Sequence, residues 1–510
     1  MTGSVTAQES NPARGVVMTV VGLVLLRLAA AAWTPLTFDE AYYWMWSKHL
    51  AGGYYDHPPM VAVVIRLGTM IAGDTSFGVR LVSVLLALPM SWAVYRTAQL
   101  LFGGQRIAAT ATLLLNATMI TSVGLMIVTP DAPLLVASSF VLLALTQVLS
   151  TGRGAWWLAV GAAVGVALLS KYTALFFGPA ILIWLLVIPR LRHWLASPWP
   201  YLGGVVALVV FSPVLFWNAD HHWVSFIKQL GRARIEHFNP AFVTELIPTQ
   251  FAFATPLVFI LGVMGLYALA RRKAGAWPAR LLVNLMFWVI VLYFVWHSLH
   301  SRVEANWFAP VYPAFAIAAA VAACMVPWRP TAQRTVDVCL RWAGPVGVVM
   351  FVALVVQANT GLLSGYKRDA TVRSVGVGFA ELARQIDRVR AQTGATCVLA
   401  PDYGTTSWLA FYLPKDTCVA QWGQRIRWVN MPEPSAGQLA GKLLLVGEQN
   451  APQRPEWQAF FSHIEKVGEL PRMRGPLLIE NVELDVLYGA KGEVLDRSPP
   501  PELDGSKTTR

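Results

Sequence analysis

The run VVMTVVGLVLLRLAAAA, Val16–Ala32, is followed by TFDEAYYW, Thr37–Trp44, and then by GYYDHPP, Gly53–Pro59. The first stretch is apolar except for Arg27, stands behind Arg14 and lacks a small-residue cleavage site, so it reads as a first membrane span. A bilayer core about 30 Å thick asks for about 20 such residues. Further windows of the same kind lie at 77–101, 107–127, 133–149, 155–169, 172–189, 199–217, 247–270, 281–299, 305–326 and 342–357. Together they predict about eleven spans. The segment 59–72 is apolar but short and carries Arg66, which predicts a helix lying along the interface. Composition agrees: 55% of the 510 residues are hydrophobic and 13% charged, against roughly a quarter charged in soluble chains.

The net charge of +12 does not indicate nucleic acid, because the basic residues sit in short loops between apolar runs. With the N-terminus inside, Arg96, Arg106, Arg153, Arg190, Arg192, Arg271, Arg272, Lys273, Arg280, Arg329, Arg334 and Arg341 all face the cytoplasm, as the positive-inside rule requires. The loop with Lys228, Arg232 and Arg234 is the outside exception. Carboxylates sort the other way. Before residue 360, only Glu9 and Asp337 fall inside, while Asp39, Glu40, Asp56, Asp74, Asp131, Asp220, Glu236, Glu245 and Glu304 fall outside. Acids contribute little to orientation, so this asymmetry locates the chemistry on the outer face.

Beyond residue 363 the composition becomes that of a soluble domain. A helix is predicted over 378–392, strands at 397–401, 419–422, 442–446 and 477–486, and a helix at 405–413. This divides the chain into a membrane domain (1–363), a small α/β domain (364–496) on the outer side and a disordered tail (497–510). Cys397 and Cys418 can pair in an oxidising compartment, or stand as two buried thiols.

Adjacent carboxylates directly after a span, beside aromatic rings suited to sugar faces, provide a group able to take a proton from an acceptor hydroxyl. An interfacial aromatic belt with solvated acids accounts for the same residues. His221, His222 and His237 lack the spacing of a dedicated metal site, and no divalent metal is expected. Neither a phosphate-binding P-loop nor a dinucleotide-binding glycine fingerprint occurs, which argues against a soluble nucleotide as energy source. Arg27 calls for a partner inside the bundle.

In order along the chain stand Asp39-Glu40 with its aromatics, Asp56-His57-Pro58-Pro59, Thr129-Pro130-Asp131-Ala132-Pro133, Leu169-Ser170-Lys171-Tyr172-Thr173, Phe216-Trp217-Asn218 and Ser301-Arg302-Val303-Glu304-Ala305-Asn306-Trp307. This ordered set, all at one membrane face, resembles the GT-C glycosyltransferases. Within them it is similar to the bacterial relatives of the dolichyl-phosphate-mannose protein mannosyltransferases, among them the lipid A aminoarabinose and galacturonosyl transferases. The resemblance spans residues 16–313. It implies an all-α polytopic GT-C membrane bundle with a C-terminal α/β periplasmic domain, in a bacterial inner membrane with the active site outside. It also implies transfer of a sugar from a polyprenyl phosphate to lipid A, another glycan or protein, with the lipid-linked sugar as co-substrate and no cofactor.

By the same resemblance Asp39, Glu40 and Asp131 are the catalytic acids. Lys171 and Arg302 hold the donor phosphate, and Tyr42, Tyr43, Tyr55, Asp56, His57 and Asn306 line the pocket. A departing lipid phosphate needs fixed positive charge where its anion develops, whatever the family. Arg232 and Arg234 are weaker candidates for an anionic group. A lipid or glycan transporter or flippase is the rival class; it predicts inverted repeats and midplane acids, and neither is evident.

Overall fold

The computed structural model describes residues 12–231, 238–362 and 370–498; Arg232, Arg234 and His237, and the tail after Ser498, lie outside the described residues. The protein is a multi-pass membrane protein with a small C-terminal sheet. Among the described residues, seven helices are long and apolar enough to cross a bilayer: Ala13–Trp33, Ser76–Phe102, Asp131–Thr151, Pro198–Asp220, Trp277–His297, Ala305–Cys324 and Pro330–Thr360. Two sharply bent pairs, Tyr172–Val187 with Pro189–Ala196 and Ala241–Phe253 with Pro256–Ala270, raise the number to nine if each is one span.

Two of the eleven expected windows hold shorter helices. The window 107–127 holds a helix of only 12 residues, Gln105–Asn116. The chain breaks there, because the Thr118 hydroxyl donates to the Leu115 carbonyl and its oxygen caps a new four-residue helix, Met119–Ser122. The window 155–169 is a 15-residue helix, Trp156–Ser170, that stops where Lys171 turns extended. An apolar window counts side chains; it does not register a backbone that ends its helix. The interfacial segment is a 13-residue helix, Met60–Ala72, which leaves Leu67, Met70 and Ile71 exposed.

The chain divides into two compact units, the first comprising Met1–Ala29, Val82–Pro213 and Ile235–Phe351. Its helices approach at small residues: a Cβ on Gly265 would lie 1.8 Å from the Ala318 carbonyl oxygen. Such contacts let helix backbones touch where the hydrophobic effect supplies no net attraction.

The second unit joins Ala30–Leu81 and Val214–Arg234 to Val352–Arg510. The C-terminal region shares a core with the segment that follows the first span. Its five-stranded sheet has the order β2-β1-β3-β5-β4, with β1 at Cys397–Ala400, β2 at Cys418–Gln421, β3 at Leu443–Val446, β4 at Phe461–Arg474 and β5 at Leu477–Ala490. β1 pairs parallel with β2 and β3, while β5 pairs antiparallel with β3 and β4. Strand β4 is absent from the sequence reading because it is an edge strand. It reads FSHIEKVGELPRMR, with bulges at Lys466/Gly468 and Arg472/Met473, and charge, Pro and bulges are how edges are protected. Cys397 and Cys418 are directly paired across β1 and β2 and form a disulfide.

One sheet face packs on the helices Phe379–Thr393 and Tyr403–Tyr412 through Leu382, Ile386, Leu409, Val398, Leu444 and Val486, and Ala41 of the first outer loop belongs to this core.

Candidate active site

The acid-bearing helix Phe38–Lys48 begins with a capping box. Thr37 Oγ1 accepts from Glu40 N, and the Glu40 carboxylate accepts from Thr37 N, satisfying two otherwise orphaned donors. Glu40 also accepts from Arg80 Nε at 2.7 Å and Nη2 at 2.6 Å, and both side chains are fully buried. Arg80 reaches on to the carbonyls of Ala31, Thr34 and Pro35. Glu40, expected among the catalytic acids, has a carboxylate that holds the start of the helix against a buried arginine.

Asp39, one position earlier on the helix, faces different company. Phe38 packs edge-on against Tyr403 and Trp408, which lie on a helix started by the Asp402 side chain accepting from Thr405 N. The Tyr403 hydroxyl donates to Asp39 Oδ1 at 3.0 Å. Burial pushes the Asp39 carboxyl up to about 6; the Tyr403 bond and Arg427 oppose the rise, and the charges of Asp56 and Glu40 add to it.

Asp56 is the converse case. Burial alone would raise it, but Lys228 and Arg427 hold it well below the usual carboxylate range. Lys228 Nζ donates to Oδ1, and Oδ2 accepts from Arg427 Nη1 at 2.5 Å and the Tyr42 hydroxyl at 2.9 Å. Lys228 lies 4.0 Å over the Tyr55 ring, and Arg427 lies 4.8 Å over Tyr403. Tyr42 stands among Trp46, Tyr403 and Trp428, while Tyr43 is edge-on to His57 at 6.4 Å. The turn Arg425–Trp428 is tied to the first loop by Asn430 Nδ2, which donates to the Gly53 carbonyl at 2.9 Å. Gly53 has no room for a side chain: a Cβ would lie 2.9 Å from Trp217.

One unit thus carries two carboxylates whose environments drive their pKa values in opposite directions. Asp39, Tyr42, Tyr43, Tyr55, Asp56 and His57 all belong to it. Tyr403 and Arg427 were not expected. The available signal was Arg425-Ile426-Arg427-Trp428, a dibasic aromatic segment between two short strands.

The other expected residues lie in the first unit. Asp131 opens the helix Asp131–Thr151, and Lys171 follows the last turn of Trp156–Ser170. Lys171 Nζ donates to Asp131 Oδ1 at 2.7 Å and Oδ2 at 2.9 Å. Asn306 Nδ2 donates to Asp131 Oδ2 at 2.6 Å. Trp307 lies under the ammonium at 5.6 Å. Asp131 and Lys171 are 4% and 8% exposed, so each offsets the other's burial. Arg302 stands apart from them, its side chain 68% exposed and facing Glu245 at 3.6 Å and Glu304 at 3.9 Å. Of the two cations expected to hold a phosphate, one is committed to Asp131 and the other faces outward between two acids. Among the described residues no group of three or more His, Cys, Asp or Glu is placed to hold a metal.

The bent pair Ala241–Phe253 and Pro256–Ala270 borders an apolar cavity of about 430 Å³, lined in part by Phe259, Leu266, Trp288 and Phe315. Two of its polar residues are paired with each other: the Tyr312 hydroxyl donates to Gln250 Oε1, and Gln250 Nε2 donates to the Ala305 carbonyl.

Residues 56–217 match the family described as dolichyl-phosphate-mannose-protein mannosyltransferase. A lipid A galacturonosyltransferase, RgtD of Rhizobium johnstonii, is 30% identical over 331 residues, covering 61% of this chain and 65% of that protein. Among solved structures, ArnT from Cupriavidus metallidurans bound to undecaprenyl phosphate superposes with a TM-score of 0.66 at 18% identity. That match covers 93% of this chain and 98% of ArnT. The apo form of the same protein gives 0.63 with the same coverage. The chain has the fold of these GT-C proteins.

Proposed function

We propose that the chain is a membrane glycosyltransferase that moves a sugar from a polyprenyl-phosphate donor to an acceptor at the periplasmic face of a bacterial inner membrane. The observation that carries the proposal is that Asp39 meets only a tyrosine donor, while Asp56 in the same unit is paired with Lys228 and Arg427. At neutral pH an Asp39 with a pKa of about 6 is ionised yet still basic enough to accept a proton, the balance a general base needs. Asp56 stays an anion that holds Lys228 and Arg427 beside it. Similarity to RgtD supports lipid A as the acceptor, and the ArnT complex supports undecaprenyl phosphate as the carrier.

The step is an inverting displacement. The acceptor hydroxyl oxygen forms a bond to the anomeric carbon, its proton passes to Asp39, and the bond from that carbon to the phosphate oxygen breaks. The negative charge leaves on the lipid phosphate, where fixed cations lower its energy. An acceptor that is itself a phosphate needs no base. The apolar cavity of about 430 Å³ suits part of the isoprenoid tail. The disulfide Cys397–Cys418 supports an outer location, since such bonds persist in oxidising compartments. RgtD is a lipid A galacturonosyltransferase, and among the described residues no feature favours the transporter class.

The test uses Asp39→Asn in membranes supplied with polyprenyl-phosphate sugar, alongside lipid A masses from cells with and without the gene. Loss of transfer with normal expression and an unchanged unfolding midpoint supports the reading. Undiminished transfer to a hydroxyl acceptor refutes Asp39 as base, and unchanged lipid A masses refute lipid A as acceptor.

A further inference from the structure

Arg27 lies in the first span and is 1% exposed. Its Nη1 donates to Asn116 Oδ1 at 3.0 Å, and its Nη2 to the Asn116 carbonyl at 2.9 Å and Ser122 Oγ at 3.2 Å. Asn116 is oriented for this role, because its Nδ2 donates to Ser91 Oγ and the Thr112 carbonyl. Every one of these acceptors is neutral. Among the described residues no carboxylate lies within ion-pair distance of Arg27. The end of the helix Gln105–Asn116 presents only the partial negative charge of its carbonyls, about half an elementary charge. A guanidinium in a span pairs with an opposite charge or with backbone carbonyls, or faces a water-filled cavity; Arg27 has the carbonyl partner and no countercharge among the described residues.

Arg27 opens instead onto a cavity of about 340 Å³ between the helices Pro12–Trp33, Gln105–Asn116 and Pro330–Thr360. The walls are apolar, including Leu23, Leu113, Val348 and Phe351. Thr19, at its edge, is exposed and spends its hydroxyl on the Gly15 carbonyl. Arg341, the other charged wall residue, is exposed and is not desolvated as Arg27 is. A largely apolar slot with a buried cation in its wall has the polarity that suits an anionic amphiphile. Arg27 sits six residues from the end of its helix at Trp33, about 9 Å along the axis, within reach of an interfacial headgroup.

We propose that this cavity binds an anionic membrane phospholipid, with its phosphodiester on Arg27 and an acyl chain along the apolar walls. One phosphodiester charge matches the one desolvated cation. The site is separate from the Asp39 cluster in its residues, and the proposal does not depend on the glycosyl-transfer reading.

The test titrates the delipidated, detergent-solubilised full chain with phosphatidylglycerol, phosphatidylcholine, undecaprenyl phosphate or inorganic phosphate, and follows the thermal midpoint and bound lipid by native mass spectrometry. Phosphatidylglycerol should stabilise the protein and be retained, and phosphatidylcholine should not. Arg27→Gln should weaken the phosphatidylglycerol response by about tenfold or more, the order expected when a charge-assisted hydrogen bond is lost. Arg27→Lys should restore much of it, and Arg341→Gln should leave it. Should Arg27→Gln fail to fold, Val348→Trp decides: it fills the slot while leaving the Arg27 bonds intact, and should abolish lipid retention. Equal responses to the two phospholipids, retention in Val348→Trp, or a dependence on Arg341 rather than Arg27 would overturn the proposal. A full response to inorganic phosphate alone, or to undecaprenyl phosphate but not phosphatidylglycerol, would overturn the phospholipid as its source.

Discussion

Replacing Tyr403 with Phe deletes one O–H group and leaves the ring, which packs on Phe38 and Arg427. The lost group donates to Asp39 Oδ1 at 3.0 Å, a bond that favours the ionised carboxylate and opposes the upward push of burial. A hydrogen bond to a charged group contributes about 1.5 kcal/mol or more, equivalent to roughly one pKa unit. Asp39 should therefore titrate near 7 rather than about 6. If ionised Asp39 is the base, kcat/KM should fall roughly fivefold at pH 6, about twofold at pH 7 and negligibly above pH 8, as the acidic limb moves up. The assay is transfer from a short-chain polyprenyl-phosphate sugar in proteoliposomes across that range, with unfolding midpoints as a control. A limb that stays in place, or a loss equal at every pH, would refute the coupling between Tyr403 and Asp39.

Glu40→Gln leaves Arg80 charged and buried, and should destabilise the full chain by about 3–5 kcal/mol, read as a lowered unfolding midpoint; a Glu40→Gln, Arg80→Met double variant should recover part of the loss. Cys397→Ser opens a loop closed across 21 residues, for which chain entropy gives about 3 kcal/mol; reductant should lower the midpoint of wild type and leave the variant unchanged. Asp485 is fully buried on β5 with neither carboxylate oxygen hydrogen-bonded, and burial, with Glu483 adding, pushes it up to about 6 from 3.8. Because its folded pKa is the higher one, it favours folding when protonated and that contribution is lost as pH rises from about 4 through 6, by up to about 3 kcal/mol. Asp485→Asn should flatten that part of the stability–pH profile in thermal unfolding, and an unchanged slope would count against the assignment.

The C-terminal domain is tied to the segment that follows the first span by contacts that no motif in it announces. Tyr403 reaches Asp39 across 364 positions, and Arg427 reaches Asp56 across 371. Neither contact leaves a trace in spacing or periodicity, so the domain read as an appendage. Edge strand β4 escaped because its charges and Pro471 are features that protect an edge in the folded sheet and argue against a strand in the bare sequence.

Hydrophobicity is a local property, and it sufficed for the membrane class; the Thr37–Glu40 capping box is equally local, yet it passed unread beside the acids and aromatics. A transfer free energy accrues residue by residue, so apolar runs announce themselves. What became of each ionisable group depended on partners brought in by folding. Glu40 is paired with Arg80, Lys171 with Asp131, and Asp39 accepts from the Tyr403 hydroxyl. Burial sets how much a charge costs, and neighbours set whether that cost is met; both belong to the tertiary structure.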